Sequence, residues 1–215
     1  PGLAIVGLAA GGRCAYEAGE NSGIGSNGLT SARHELLANT YAQKYPETYD
    51  RAMPADLAYC GPYRLTDPLP GSSLTVGQAL LSPTRTYAPF ALRLLQALGR
   101  ERVRGLIHCS GGGQTKCKRF GTRVHFIKDN LFPAPPIFAA IAQASGTEPE
   151  EMHKVYNMGH RLEVYVDPAD VPAVLAVAAS LQLEARVVGR TEASTQPGGA
   201  NHVTIVKDGE SLRYS

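Results

Sequence analysis

Two hydrophobic periods share this chain. Gly2 to Leu8 is a short apolar run bounded by glycine, which predicts a buried strand. Val103 to Cys109, Val124 to Ile127, Ala185 to Val188 and His202 to Val206 predict further strands. Asp208-Gly209 predicts a hairpin turn into Leu212 to Tyr214. Leu162, Val164 and Val166 alternate with Arg161, Glu163 and Tyr165, the pattern of a half-buried strand. Elsewhere the period is helical. Leu29, Ala32, Leu36 and Leu37 form one apolar face after Ser26-Asn27-Gly28, where Ser26 or Asn27 is the expected N-cap, and Pro46 closes that helix. Tyr87, Ala91, Leu94, Leu95 and Leu98 line one side of another helix, with Gly99 as its C′ residue. Pro133 to Pro136 leads into a helix over Ile137 to Ala144, and Pro149 opens a short one over Glu150 to Tyr156. Asp167-Pro168 reads as an N-cap and first-turn proline for the apolar helix ending at Ala179.

Strands and helices interleave through most of the chain. That predicts one α/β domain over residues 1–215, with a mixed sheet and helices on its faces. There is no internal repeat and no dividing linker. Ala10 to Gly25 and Glu47 to Ser73 are irregular, and stretches like the second are often functional or mobile. A domain of 215 residues buries roughly 70% of its unfolded surface, so a real core is available. Hydrophobic content of 43% and charged content of 19% are ordinary for a soluble protein. A net charge of +2 argues against a general nucleic-acid binder. No apolar run approaches the roughly 20 residues of a membrane span, and no charged n-region with an h-region opens the chain. Cys14, Cys60, Cys109 and Cys117 form no CxxC pair, which predicts reduced thiols in a cytoplasmic protein. The chain enters a strand directly after Pro1-Gly2, with no Met. That predicts a piece of a longer polypeptide, although a processed terminus would read the same.

The candidate chemistry centres on Gly105-Leu-Ile-His-Cys-Ser-Gly-Gly-Gly-Gln-Thr-Lys-Cys-Lys-Arg119. An apolar strand breaks at Ser110 into Gly111, Gly112 and Gly113, and a short basic segment with helix potential follows. Such a turn can aim several backbone N–H groups at one anion, with a helix dipole behind it and Lys116, Lys118, Arg119 and Arg123 nearby. The plain alternative is a tight turn that needs positive φ. The loop is neither a Walker A motif nor a dinucleotide fingerprint, since Lys116 is not followed by Ser or Thr and GxGxxG fails at its last glycine. Gly23 to Gly28 is a second glycine-rich turn, either a simple helix start or a ligand-facing loop. Arg85 sits at a turn before a helix and reads alone as solvated or ion-paired. Asn157-Met158-Gly159-His160 reads alone as a glycine-containing cap. His108, Cys109, Cys117 and His125 lack the spacing of paired metal ligands, and no metal is expected there. No catalytic triad is assignable.

Several blocks together resemble one family. Leu81-Ser-Pro-Thr-Arg-Thr-Tyr87, Ile107-His-Cys-Ser-Gly-Gly-Gly113, Lys128-Asp-Asn-Leu-Phe-Pro133 and Glu151-Met-His-Lys-Val-Tyr-Asn-Met-Gly159 stand in the order seen in phosphoribosylformylglycinamidine cyclo-ligase, also called aminoimidazole ribonucleotide synthase. Ala4 to Ala9 and Gly25-Ser-Asn-Gly28 also fit. The resemblance runs nearly end to end, but only to the C-terminal half of that enzyme. Related ATP-using enzymes share the fold.

The resemblance implies a three-layer α/β/α domain on a mixed sheet. It implies a missing N-terminal domain that binds ATP and Mg2+, forms the homodimer and packs against this one; no DGxGTK-like run occurs here. It implies the purine-biosynthetic conversion of formylglycinamidine ribonucleotide to aminoimidazole ribonucleotide. ATP activates the formyl oxygen, a substrate nitrogen attacks that carbon, and the imidazole closes with loss of phosphate. It implies no nucleic-acid or membrane partner. Carried over by position, the substrate and phosphate contacts are Ser26, Asn27, Gly28, Thr84, Arg85, Ser110, Gly111, Gly112, Gly113, Asn157 and Gly159. Gln114, Thr115 and Lys116 stand where the family varies, and the catalytic base is unassigned. Two other readings stay open: a stand-alone, non-catalytic ligand-binding module of this fold, and another ATP-dependent member of the superfamily.

Overall fold

The computed structural model describes residues 1–26 and 28–215. The apolar runs form the strands the pattern predicts. β1 (Ala4–Ala9) is followed by a two-residue hairpin pair, β2 (Gly11–Gly12) and β3 (Asn21–Ser22). Then come β4 (Val103–His108), β5 (Val124–Lys128), β6 (His160–Val166), β7 (Ala185–Ala193), β8 (His202–Lys207) and β9 (Glu210–Tyr214). Seven of these make one sheet in the order β4-β6-β1-β7-β5-β8-β9. Its pairings are antiparallel except β5 with β8, so the sheet is mixed.

The helices are α1 (Leu29–Leu36), α2 (Thr40–Lys44), α3 (Val76–Leu80), α4 (Ala88–Leu98), α5 (Pro136–Ser145), α6 (Pro149–Val155) and α7 (Val171–Ser180). α4 and α7 cover one sheet face, burying Val6, Leu8, Leu162, Val164 and Val166. The other face presents Ile5, Phe126, Tyr165, Val188, Val203 and Ile205. A 3-10 segment over Gly113–Arg119 lies on that face, with α6 against it. α1, α3 and α5 enclose a separate apolar cluster built on Ile24, Leu36, Leu69, Phe138 and Ile141.

Three local readings change. The inner face of α4 is Tyr87, Phe90, Leu94 and Leu98, with Leu95 turned outward. The residue ahead of α1 that serves as N-cap is Gly28, at φ 72 and with no side-chain cap bond, so Ser26 does not cap the helix. Asn27 lies outside the described residues. The excursion after Pro46 is anchored rather than loose. Ala58, Tyr59 and Leu69 are buried in the helical cluster, and the Tyr59 amide donates to His34 Nδ1 at 3.1 Å. It ends at α3, which starts with a Thr75–Gln78 capping box.

The largest departure is β6. Every residue in it is buried, including Arg161, Glu163 and Tyr165, which alternation placed on an open face. β6 runs between β4 and β1, and the 3-10 segment layer shuts its second side. A carboxylate sealed there needs a partner, and Lys128 Nζ at the end of β5 supplies it as a fully buried ion pair. β5 and β6 are not neighbours: β7 and β1 lie between them. Glu163 also accepts from Tyr165 Oη at 2.5 Å and from His160 Nε2 at 3.0 Å. Burial alone would raise the Glu163 carboxyl, but the Lys128 ammonium and the His160 bond outweigh it and hold it at about 2.

Breaking this pair from one side leaves a bare buried charge. Lys128→Met should cost about 3–5 kcal/mol in urea denaturation, and Lys128→Met with Glu163→Gln should recover most of that loss. The sign with pH follows from the depressed carboxyl. The pair's contribution is present above the ordinary carboxyl value of 4.5 and is lost as pH falls through about 2. Wild-type stability should therefore drop over that window while the double variant stays flatter.

Candidate functional site

The predicted loops meet at one end of β6. Asn157, in the turn before this strand, donates from Nδ2 to the Gly23 carbonyl at 2.8 Å and accepts the Gly159 amide on Oδ1 at 3.0 Å. Gly159 in turn gives its carbonyl to the Ala10 amide at 2.8 Å. At the start of β6 the Arg161 carbonyl accepts the Cys109 amide at 2.5 Å, just ahead of the glycine loop. Gln114, just after that loop, is fully buried, and its Nε2 donates to the carbonyls of Asn157 and His160. Lys128 Nζ donates to both the carbonyl and the Oε1 of Gln114. The buried Lys128–Glu163 pair thus sets where the glycine loop sits against the Asn157 turn.

The second glycine turn joins the same cluster. The Ser26 amide donates to Thr84 Oγ1 at 3.0 Å, and the Thr84 hydroxyl donates to Ser26 Oγ at 3.3 Å. Both residues are exposed. Arg85, one position on, points the other way. Its Nε and Nη2 hold the Glu17 carboxylate at 2.9 and 2.7 Å, and its Nη1 and Nη2 donate to the carbonyls of Ala9, Gly11 and Gly12. Those five bonds engage all three guanidinium nitrogens, so Arg85 acts as a brace beneath the loops.

Within the glycine loop, the Ser110 amide donates to the His108 carbonyl, the Gly113 amide to Ser110 and the Thr115 amide to Gly112. Thr115 Oγ1 donates to the Gly112 carbonyl as well. The amides of Gly111 and Gly112 have no protein acceptor among the described residues. The following segment is a 3-10 helix rather than an α-helix, so its dipole adds little. Positive charge comes instead from side chains. His108 packs edge-on against Tyr87 at 6.1 Å, and burial first, then Arg161 and Lys116, push its pKa down.

Lys128, His160, Arg161, Glu163 and Gln114 were not among the substrate and phosphate contacts expected from the sequence. The one signal available was a strand whose alternate positions are charged yet which lies between apolar strands. Cys109, His160 and Glu163 bring possible ligand atoms within 4.8 Å of one another. This set does not fit a magnesium ion, which takes oxygen ligands. Glu163 is already neutralised by Lys128, and burial pushes the Cys109 thiol well up. A cleft of about 320 Å³ lies beyond the Gly159 turn, lined by Gly11, Asn21, Phe132, Pro133 and Arg186. It takes in none of the predicted site residues except Gly159.

The chain has known relatives. The model of the AIR synthase related protein C-terminal domain matches residues 1–199, and this chain belongs to that family. A phosphoribosylformylglycinamidine cyclo-ligase of Methanopyrus kandleri is 32% identical over 192 residues, covering 89% of this chain and 44% of the relative. One from Myxococcus xanthus is 34% identical over 214 residues, covering 97% of this chain and 50% of the relative. The chain thus spans about half the length of these curated relatives. Among solved structures, Thermotoga maritima PurL complexed with FGAR aligns over 99% of this chain and 26% of its own, at 15% identity and a TM-score of 0.45.

The glycines of the loop divide into two kinds. At Gly113, φ is +48 and an added Cβ would lie 2.5 Å from the carbonyl oxygens of His153 and Tyr156. At Gly111, an added Cβ meets nothing within 4 Å. Gly113→Ala should cost about 2–4 kcal/mol, and Gly111→Ala should stay within about 0.5 kcal/mol of wild type. Thermal denaturation of the two variants checks the contrast.

Proposed function

We propose that this chain is the C-terminal part of an ATP-dependent cyclo-ligase that converts formylglycinamidine ribonucleotide to aminoimidazole ribonucleotide in purine biosynthesis. The convergence of the separate loops on the start of β6 carries this reading, since it turns scattered motifs into one polar surface. Membership of the family and the names of the relatives support it. In this role the chain positions and binds; it does not activate. Ser26, Asn27, Gly28 and Thr84 contact the ribonucleotide, and the loop of Ser110, Gly111, Gly112 and Gly113 holds its phosphate through the Gly111 and Gly112 amides. Asn157 and Gly159 fix the distance between them, and Arg85 anchors the Thr84 turn. Holding reactants in register is a large part of what such a ring closure requires.

ATP and Mg2+ belong in this reading to an N-terminal domain, which packs against this surface and carries the homodimer contact. The 215-residue chain by itself should show no ATP-dependent ring closure with formylglycinamidine ribonucleotide and Mg2+, and a polypeptide carrying both domains should. Turnover by the chain alone, or none by the two-domain protein, overturns the proposal.

A further inference from the structure

Arg161 is the most unusual charge in the molecule. Its side chain is among the largest that are fully buried, with 1% of the residue exposed. A guanidinium keeps its proton at any physiological pH, so this is a permanent cation in the interior. Buried cations are normally paired with a carboxylate. Lys128 has Glu163 and Arg85 has Glu17, whereas Arg161 has no acidic partner among the described residues. Its Nη2 donates to the carbonyls of Gly23 and Ile24, and its Nη1 has no partner at all.

Its location is equally specific. The guanidinium lies against the backbone of Gly25, where an added Cβ would sit 2.3 Å from both terminal nitrogens. Its own carbonyl is tied to the Cys109 amide, one residue before Ser110. Arg161 therefore touches both glycine turns: its guanidinium lies on the Gly23–Gly25 turn, and its backbone carbonyl holds the residue that leads into the loop whose Gly111 and Gly112 amides have no protein acceptor among the described residues. Lys116 and Arg161 both act on His108. A desolvated cation without a counter-ion, backbone amides without acceptors and a flanking lysine share one chemical complement, a phosphate monoester.

We infer that Arg161 is the countercharge of the phosphate site: it attracts the phosphate group of the substrate to the Gly111–Gly112 amides from beneath the loops. This rests on the reading of the glycine loops as substrate-facing and adds the residue that supplies their charge. The low dielectric around it makes such a charge more effective than one on the surface, and buried pairs are screened little by salt.

The test uses ribose 5-phosphate as probe and ribose as its neutral control, with calorimetry at low ionic strength. The wild-type protein should bind ribose 5-phosphate and not ribose. Arg161→Gln should weaken binding roughly 10- to 100-fold, the worth of one charge-assisted interaction. Arg161→Lys, which keeps the charge but loses the two-carbonyl grip, should stay within a few-fold of wild type. Equal loss in both variants marks a structural role and overturns the inference, as does unchanged affinity in Arg161→Gln. Should Arg161→Gln fail to fold, the wild type still decides. The Arg161 side-chain nitrogen resonances, assigned by their absence in Arg161→Lys, must move when ribose 5-phosphate is added, and unmoved resonances overturn the inference. A wild type that does not bind ribose 5-phosphate overturns the loop reading itself. Binding that ignores Arg161 overturns only the role given to this residue.

Discussion

The ion pair between Lys128 and Glu163 is the constraint on which the site's geometry depends. It links two strands that are not neighbours, across the face that the 3-10 segment covers. Its second set of bonds, from Lys128 to Gln114 and from Gln114 to Asn157 and His160, carries the constraint out of the sheet and into the loops. A buried pair of this kind contributes little net stability compared with apolar residues of the same volume. It does demand one register, because any shift leaves a charge unpaired in a medium that cannot solvate it. That demand suits a protein whose loops must hold a fixed spacing.

Most strands were legible from short, mainly apolar runs and β6 from its alternation, and the turns because glycine has few other uses in such positions. What sequence could not show was the closure of the second face of β6. Period-two alternation reports which side chains share a face, not whether a distant segment covers that face. Arg161, Glu163 and Tyr165 therefore read as outward, although the 3-10 segment over Glu163 and Tyr165 starts at Gly113, some fifty positions earlier, and the Gly23–Gly25 turn against Arg161 lies farther off still. Arg85 was legible as a notable arginine, but its partner Glu17 lies 68 positions away. The N-terminal cap of α1 was misread because Gly28, in the left-handed region, can end a turn without a side-chain acceptor.

The candidate site divides its labour between layers. The buried layer is held by internal hydrogen bonds: Asn157, Gln114 and Arg85 spend their polar groups on other loops. The outer layer, with Ser26, Thr84 and Gly111, is exposed and small, and so leaves room for a ligand. Rigid support below and sparse side chains above favour a surface whose selectivity comes from backbone geometry and field rather than from shape. The unmatched charge of Arg161 fits that division, since it sits in the supporting layer yet has no use for its positive charge there.

The contact between Arg161 and Gly25 has an evolutionary consequence. Neither position can change alone at low cost. A side chain at Gly25 is strained by its left-handed φ of +56 and must displace the guanidinium, and shortening Arg161 first leaves a void and strips the carbonyls of Gly23 and Ile24 of their donor. A change at one of the two positions therefore calls for a change at the other, and the two sites should be inherited as a unit.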